Sequence, residues 1–164
     1  MAVSLVSLVN QRLACCRALL QDLPQARTPV HSKALLDACV FHLQCGYRHY
    51  VRELAKGYGV NYLAAVQDEQ SAAKSLAQID KTPAEIRELC HLAESPSSWL
   101  ARLKRAWAEF DALPEAFAAP SANAIPVTNL DAQPSLPLDE QALLTAVNEF
   151  QGLIDRHRES TLEY

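Results

Sequence analysis

The sequence predicts an all-α protein, an antiparallel bundle of about five or six helices forming one domain over residues 1–164. Alanine and leucine are abundant, and only four residues are glycine, a composition that favours helix over sheet. Apolar residues recur at steps of three and four along most of the chain, which is the spacing of one helical face. Prolines and capping residues divide this pattern into separate helices.

The first two predicted helices cover residues 3–22 and 30–57. The second is expected to be central, because its apolar stripe is long and its other sides carry little charge. Between residues 34 and 47 its only acidic or basic side chain, leaving histidine aside, is Asp37. Gly57 and Gly59 provide a C-terminal stop. The stripe consists of Leu36, Val40, Leu43, Tyr47, Tyr50, Leu54 and Tyr58.

Capping residues predict where the later helices begin. Asn61 is expected to cap a third helix that runs to residue 79. Thr82, followed by Pro83 and Glu85, has the pattern of a capping box for a short fourth helix that reaches about residue 93. The fifth helix is predicted to follow Ser95–Ser98 and to have a buried stripe from Trp99 to Leu113. The sixth is predicted to follow Asp139.

A proline-rich segment separates the last two predicted helices. Five of the nine prolines fall between residues 114 and 137, and neither a helix nor a central strand tolerates that density. The sequence therefore predicts a long loop over 114–137, with a C-terminal helix in 138–164 that packs back on the bundle.

Charge and cysteine content exclude several classes of protein. The net charge is −4, whereas a protein that binds DNA through its phosphates usually presents a strongly basic face. No apolar stretch approaches the roughly 20 residues needed to span a bilayer. The five cysteines follow no disulfide framework or C-x-x-C spacing. We therefore expect a cytoplasmic protein with free thiols, with neither DNA nor a membrane as partner.

The second predicted helix carries a candidate pocket. His42, Cys45 and His49 fall on one face, offset from the apolar stripe. Tyr47 and Tyr50 could add hydroxyl groups at the rim. We predict that these five residues line a small cavity. The cavity is expected to be partly polar, because buried histidines require hydrogen-bond partners. We expect it to hold no metal.

A metal site or an enzyme that uses His42, Cys45 and His49 is the alternative. Thiol and imidazole groups at helical spacing can bind metals. However, His42 and His49 are two turns apart, roughly 10 Å along the axis, so they cannot share one ion without distortion. The sequence contains no glycine-rich phosphate loop and no Ser-His-Asp signature. We therefore predict no catalytic residues and no cofactor.

Several short motifs carry a family resemblance. The order of these motifs resembles a small proteobacterial family of unknown function, best known from pseudomonads. The run from Ala38 to Leu43, followed by Tyr47 to Leu54, resembles the second helix of HEPN-type bundles. The motifs shared with the proteobacterial family are Asn10-Gln11, the Ala38-to-Leu43 run, Trp99-Leu100, Ile125-Pro126-Val127, and Arg156 with Arg158 in the last helix.

The HEPN resemblance is confined to helix order. HEPN ribonucleases carry an arginine and a histidine separated by four to six residues, whereas Arg27 and His31, like Arg87 and His91, are separated by three. The resemblance therefore implies the fold without ribonuclease activity.

A binding or interaction module without chemistry of its own is the predicted function. Its partner would be a protein or a small molecule, and a homodimer is compatible with the sequence. Two alternatives stay open at this point: the metal-binding or enzymatic protein described above, and a HEPN-like RNA-associated protein that lacks the ribonuclease motif.

Overall fold

The computed structural model describes residues 4–110, 112–113 and 138–162. This part of the chain contains six α-helices and no strand, which confirms the all-α class. The predicted proline-rich loop at 114–137 lies outside the described residues. The helices are α1 Leu5–Asp22, α2 Pro29–Gly57, α3 Glu69–Ala77, α4 Ala84–Glu94, α5 Trp99–Phe110 and α6 Glu140–Leu162, with 3-10 turns at Leu23–Gln25 and Leu63–Ala65.

Local signals at both ends fix the limits of α2. The Thr28 side chain accepts a hydrogen bond from the backbone N–H three residues later, and Pro29 occupies the first turn, where its missing N–H costs nothing. At the other end Gly59 has φ +100°, and the Val60 N–H donates to the Ala55 carbonyl at 2.9 Å. This glycine-dependent cap confirms the predicted stop.

α2 is the central helix, as predicted. It contacts each of the other five helices, and its most extensive contact is with α1. From the predicted stripe Val40, Leu43, Tyr47 and Tyr50 are buried. Leu36, Leu54 and Tyr58 are partly buried and pack against the core.

An aromatic cluster joins α2 to α5 and α6. Phe150 of α6 is fully buried. Its ring centroid lies 5.0 Å from that of Trp99, 5.6 Å from that of Tyr50 and 6.1 Å from that of Tyr47. Such contacts bury large apolar areas and add a geometric preference. Phe150 therefore holds three helices together.

The predicted start of the third helix is wrong. Residues 61–68 contain only a 3-10 turn, and α3 begins at Glu69. The Asp68 side chain accepts a hydrogen bond from the Ser71 N–H at 2.8 Å, and the Ser71 hydroxyl accepts one from the Asp68 N–H. This reciprocal capping box satisfies the free N–H groups at residue 68, so the helix starts there instead of at Asn61.

The predicted cap of the fourth helix is also wrong. Pro83 is the N-cap residue, and no side chain caps α4. Glu85 forms no capping box with Thr82, because its carboxylate accepts a hydrogen bond from the Tyr58 hydroxyl at 2.9 Å. A tertiary contact has replaced the local one.

α5 ends three residues earlier than the predicted stripe. Phe110 is its last residue and is 47% exposed, while Leu113 is 76% exposed. A residue that precedes proline avoids helical backbone angles, so Leu113, before Pro114, cannot continue the helix. The burial predicted for these two residues is therefore wrong.

Candidate functional site

An arginine of α1 crosses α2 at a glycine. A Cβ atom added to Gly46 would lie 3.1 Å from Cβ of Arg12, closer than side chains normally approach. The glycine lets α1 and α2 approach closely and leaves room for the Arg12 side chain to lie across α2. The sequence signal for this crossing is a glycine in the middle of an otherwise regular helix, which often marks close packing.

Arg12 is hydrogen-bonded to His42. Its Nη1 donates to His42 Nδ1 at 3.0 Å, so this ring nitrogen is an acceptor and carries no proton. Burial, followed by the charge of Arg12, lowers the pKa of His42. The Arg12 guanidinium also lies 6.0 Å from the centre of the Phe41 ring. The histidine is therefore held in its neutral form.

His49 lies two turns further along α2 in a similar environment. Its Nδ1 atom is buried and has no hydrogen-bond partner. Burial lowers the pKa of His49, and the charges of Arg12, Arg52 and Arg48 lower it further. Three positive charges thus act on one imidazole, and among the described residues no carboxylate offsets them.

Arg48 and Arg52 complete a positively charged surface. Arg52 Nε donates to the Val66 carbonyl at 2.8 Å, and burial together with Arg48 lowers the pKa of Arg52. Arg48 Nε is buried without a partner. We call the set Arg12, His42, Arg48, His49 and Arg52 the cationic face.

No carboxylate neutralises the cationic face in the described part of the chain. None of its three arginines forms an ion pair there. The two acidic residues of α2 are engaged elsewhere: Asp37 pairs with Lys33, and Glu53 accepts from Arg158 Nε at 2.9 Å. The three arginines thus form a local excess of positive charge in a protein of net charge −4.

The structure separates the five predicted pocket residues into two groups. His42, Cys45 and His49 are half-buried and share the side of α2 that carries the cationic face. Tyr47 and Tyr50 are buried in the core on the other side. The cavity predicted around the first three residues stays a prediction.

The two tyrosines bind polar groups that sequence reasoning missed. The Tyr47 hydroxyl donates to Glu69 Oε2 at 2.6 Å, and Lys104 also bonds the Glu69 carboxylate. Glu69 is fully buried. A glutamate in the first turn of a helix is normally exposed and interacts with the helix dipole, so its burial could not be predicted from the sequence.

Tyr50 belongs to a chain of hydrogen bonds in which a hydroxyl, an imidazole and a carboxylate follow one another, as in a catalytic triad. Its hydroxyl lies 2.6 Å from His157 Nδ1, and His157 Nε2 lies 2.8 Å from Glu88 Oε2. However, Tyr50 is fully buried and His157 is only 5% exposed. The hydroxyl is closed off from solvent, and these hydrogen bonds link α2, α4 and α6. His157 continues the helical spacing of the apolar residues Leu143, Val147, Phe150 and Ile154 in α6, and this spacing was the sequence signal for its burial.

The arrangement of the cationic face favours anions over metal ions. Across the described ranges, no group of three or more His, Cys, Asp or Glu side chains could hold a metal. At the cationic face itself, the arginines would repel a cation. They would attract a phosphate or carboxylate group, for which planar guanidinium groups are well suited.

A comparison with protein families places the chain. The family of unknown function DUF6586 matches residues 1–164. The chain belongs to this family. Neither a curated protein nor a solved structure matches this DUF6586 chain. Membership in DUF6586 confirms the predicted family of unknown function, while its proteobacterial origin and the HEPN resemblance stay predictions. Among the helices described for this DUF6586 protein, none is long and apolar enough to cross a membrane.

Proposed function

We propose that the protein is a binding module without catalytic activity, and that its cationic face holds a ligand bearing a phosphate group. The observation that carries this proposal is the cluster of Arg12, Arg48 and Arg52, which has no carboxylate partner in the described residues. The five free thiols are compatible with a cytoplasmic location.

Electrostatics support an anionic ligand. Burial is the larger cause of the lowered pKa values of His42, His49 and Arg52, and repulsion by the neighbouring arginines adds to it. A bound anion would reverse that repulsion. The Nε–H groups of Arg12 and Arg48 are buried hydrogen-bond donors without an acceptor. Both could donate to a bound anion.

The metal-binding and enzymatic alternatives have less support. A metal ion at His42 would compete with the Arg12 guanidinium, which already occupies Nδ1. The face therefore provides recognition of charge, and no described group there has an evident role in bond making or breaking.

A calorimetric titration with inorganic pyrophosphate at low ionic strength tests the proposal. We expect saturable binding that Arg48→Gln weakens at least about tenfold, because a hydrogen bond to a charged group contributes about 1.5–3 kcal/mol. Arg27→Gln is the matched control, since Arg27 is an exposed arginine in the loop before α2, and it should bind as the wild type does. Circular dichroism establishes that both variants are folded.

The source of the phosphate is a second arm of the same titration. A ten-nucleotide oligouridylate replaces pyrophosphate. Binding that is much tighter than for pyrophosphate and falls steeply with salt identifies an RNA backbone as the source. Comparable affinities identify a small phosphorylated molecule. Absence of saturable binding for both probes, or equal weakening by the two substitutions, contradicts the proposal.

A further inference from the structure

A second site lies between α3 and α4, away from the cationic face. It is a cavity of about 260 Å³. Its apolar lining comes from Ala73, Pro83, Ile86 and Cys90. Its polar lining consists of Lys81, Thr82, Arg87, His91 and Glu94.

One face of α4 forms most of this cavity. Pro83, Ile86 and Cys90 recur at steps of three and four, and Arg87 and His91 each follow one residue later. An apolar floor thus runs beside a charged rim along the helix. A ligand that matches this face needs an apolar body and a charged group on one side.

The end of α3 fixes one wall of the cavity. Asp80 adopts a left-handed conformation with φ 56°, and the Lys81 N–H donates to the Leu76 carbonyl at 3.0 Å. The Lys81 ammonium in turn donates to the Tyr58 carbonyl at 2.7 Å. An ammonium has three N–H donors, so two of those of Lys81 are left for a ligand. The hydrogen bond of the Lys81 N–H holds the backbone of this residue in place.

Charge is distributed unevenly along the cavity. Lys81 and Arg87 lie near the start of α4, whereas Glu94 is its last residue, roughly 10 Å beyond Arg87 along the axis. No side chain caps the first turn of α4, so its N–H groups add partial positive charge at the same end. Electrostatic complementarity therefore calls for an anionic group close to Lys81 and Arg87.

We propose that this cavity binds a small amphipathic monocarboxylate, with its apolar body on Ile86 and Cys90 and its carboxylate between Lys81 and Arg87. A cavity of about 150 Å³ accommodates a benzene molecule, so the present volume has room for one ring with a short carboxylate arm. One rim carboxylate, Glu94, disfavours a second negative charge at the far end. This site is independent of the cationic face.

Fluorine NMR with 4-fluorophenylacetate as the probe tests the carboxylate. We expect Arg87→Gln to weaken its binding about tenfold. Lys74→Gln is the control, because Lys74 is exposed on α3 and does not line the cavity, and it should change the affinity by less than twofold. The neutral amide 4-fluorophenylacetamide should bind at least about tenfold more weakly than the acid.

Cys90 reports on occupancy of the apolar floor. Burial, with the charges of Glu69 and Glu94, raises the pKa of its thiol, so maleimide labelling at mildly alkaline pH should be slow enough to follow. Saturating 4-fluorophenylacetate should slow the labelling of Cys90 at least about threefold and leave that of Cys45, half-buried on α2, unchanged. Equal binding of acid and amide, equal effects of the two substitutions, or unprotected Cys90 each overturn the proposal.

Discussion

Phe150→Ala is expected to lower the free energy of unfolding by about 3–5 kcal/mol, the range for removing a large buried aromatic side chain. Phe150 is fully buried and packs on Trp99, Tyr47 and Tyr50. Its loss leaves a cavity where α2, α5 and α6 meet. Urea unfolding followed by circular dichroism measures the change.

Phe110→Ala is the matched control for this substitution. It removes the same atoms from the end of α5, where the ring is 47% exposed, and should cost less than about 1 kcal/mol. Equal losses for the two variants would show that the aromatic cluster is not the centre of the core.

Lys104→Met is expected to lower the free energy of unfolding by a similar amount, about 3–5 kcal/mol. It leaves the fully buried Glu69 carboxylate with the Tyr47 hydroxyl and without a cation. The buried charge then has no compensation, which costs more than the ion pair itself contributes. Chemical denaturation provides the measurement.

A second substitution separates the charge from the packing. Glu69→Gln combined with Lys104→Met removes both charges and keeps an acceptor for Tyr47, so it should recover most of the lost stability. Lys74→Met, at an exposed position of α3, should have little effect. A loss below about 1 kcal/mol for Lys104→Met would mean that Glu69 does not need its partner.

Helix positions were predictable where the signals are local. The apolar stripe and Gly59 located α2 correctly, and the Asp139 side chain caps α6 by accepting from the Ala142 N–H at 2.8 Å. The start of α3 was predicted wrongly because two signals competed. Asn61 and Asp68 are both good N-cap residues, and only the reciprocal bonds with Ser71 decide between them.

The candidate site was predictable in part. Helical periodicity alone places His42, Cys45 and His49 on one face. It cannot reveal that Arg12, from another helix, reaches His42, because that contact depends on how closely α1 approaches Gly46. A contact between residues far apart in the sequence depends on how the helices pack, and local sequence patterns do not predict that packing.

The most direct test of the cationic face is the titration of the histidine rings by NMR, with and without pyrophosphate. In the free protein, burial and the neighbouring arginines lower the pKa values of His42 and His49 below their usual range. A nearby anion favours the protonated ring, so pyrophosphate should raise both values.

His31 supplies the internal reference for this titration. It is exposed in the first turn of α2, roughly 16 Å from His42 along the helix axis, and its ring signals should not respond to pyrophosphate. The predicted result is a rise in the pKa values of His42 and His49 together, absent in Arg48→Gln at the same pyrophosphate concentration. Values for these two histidines that do not change with pyrophosphate would contradict the proposed anion site.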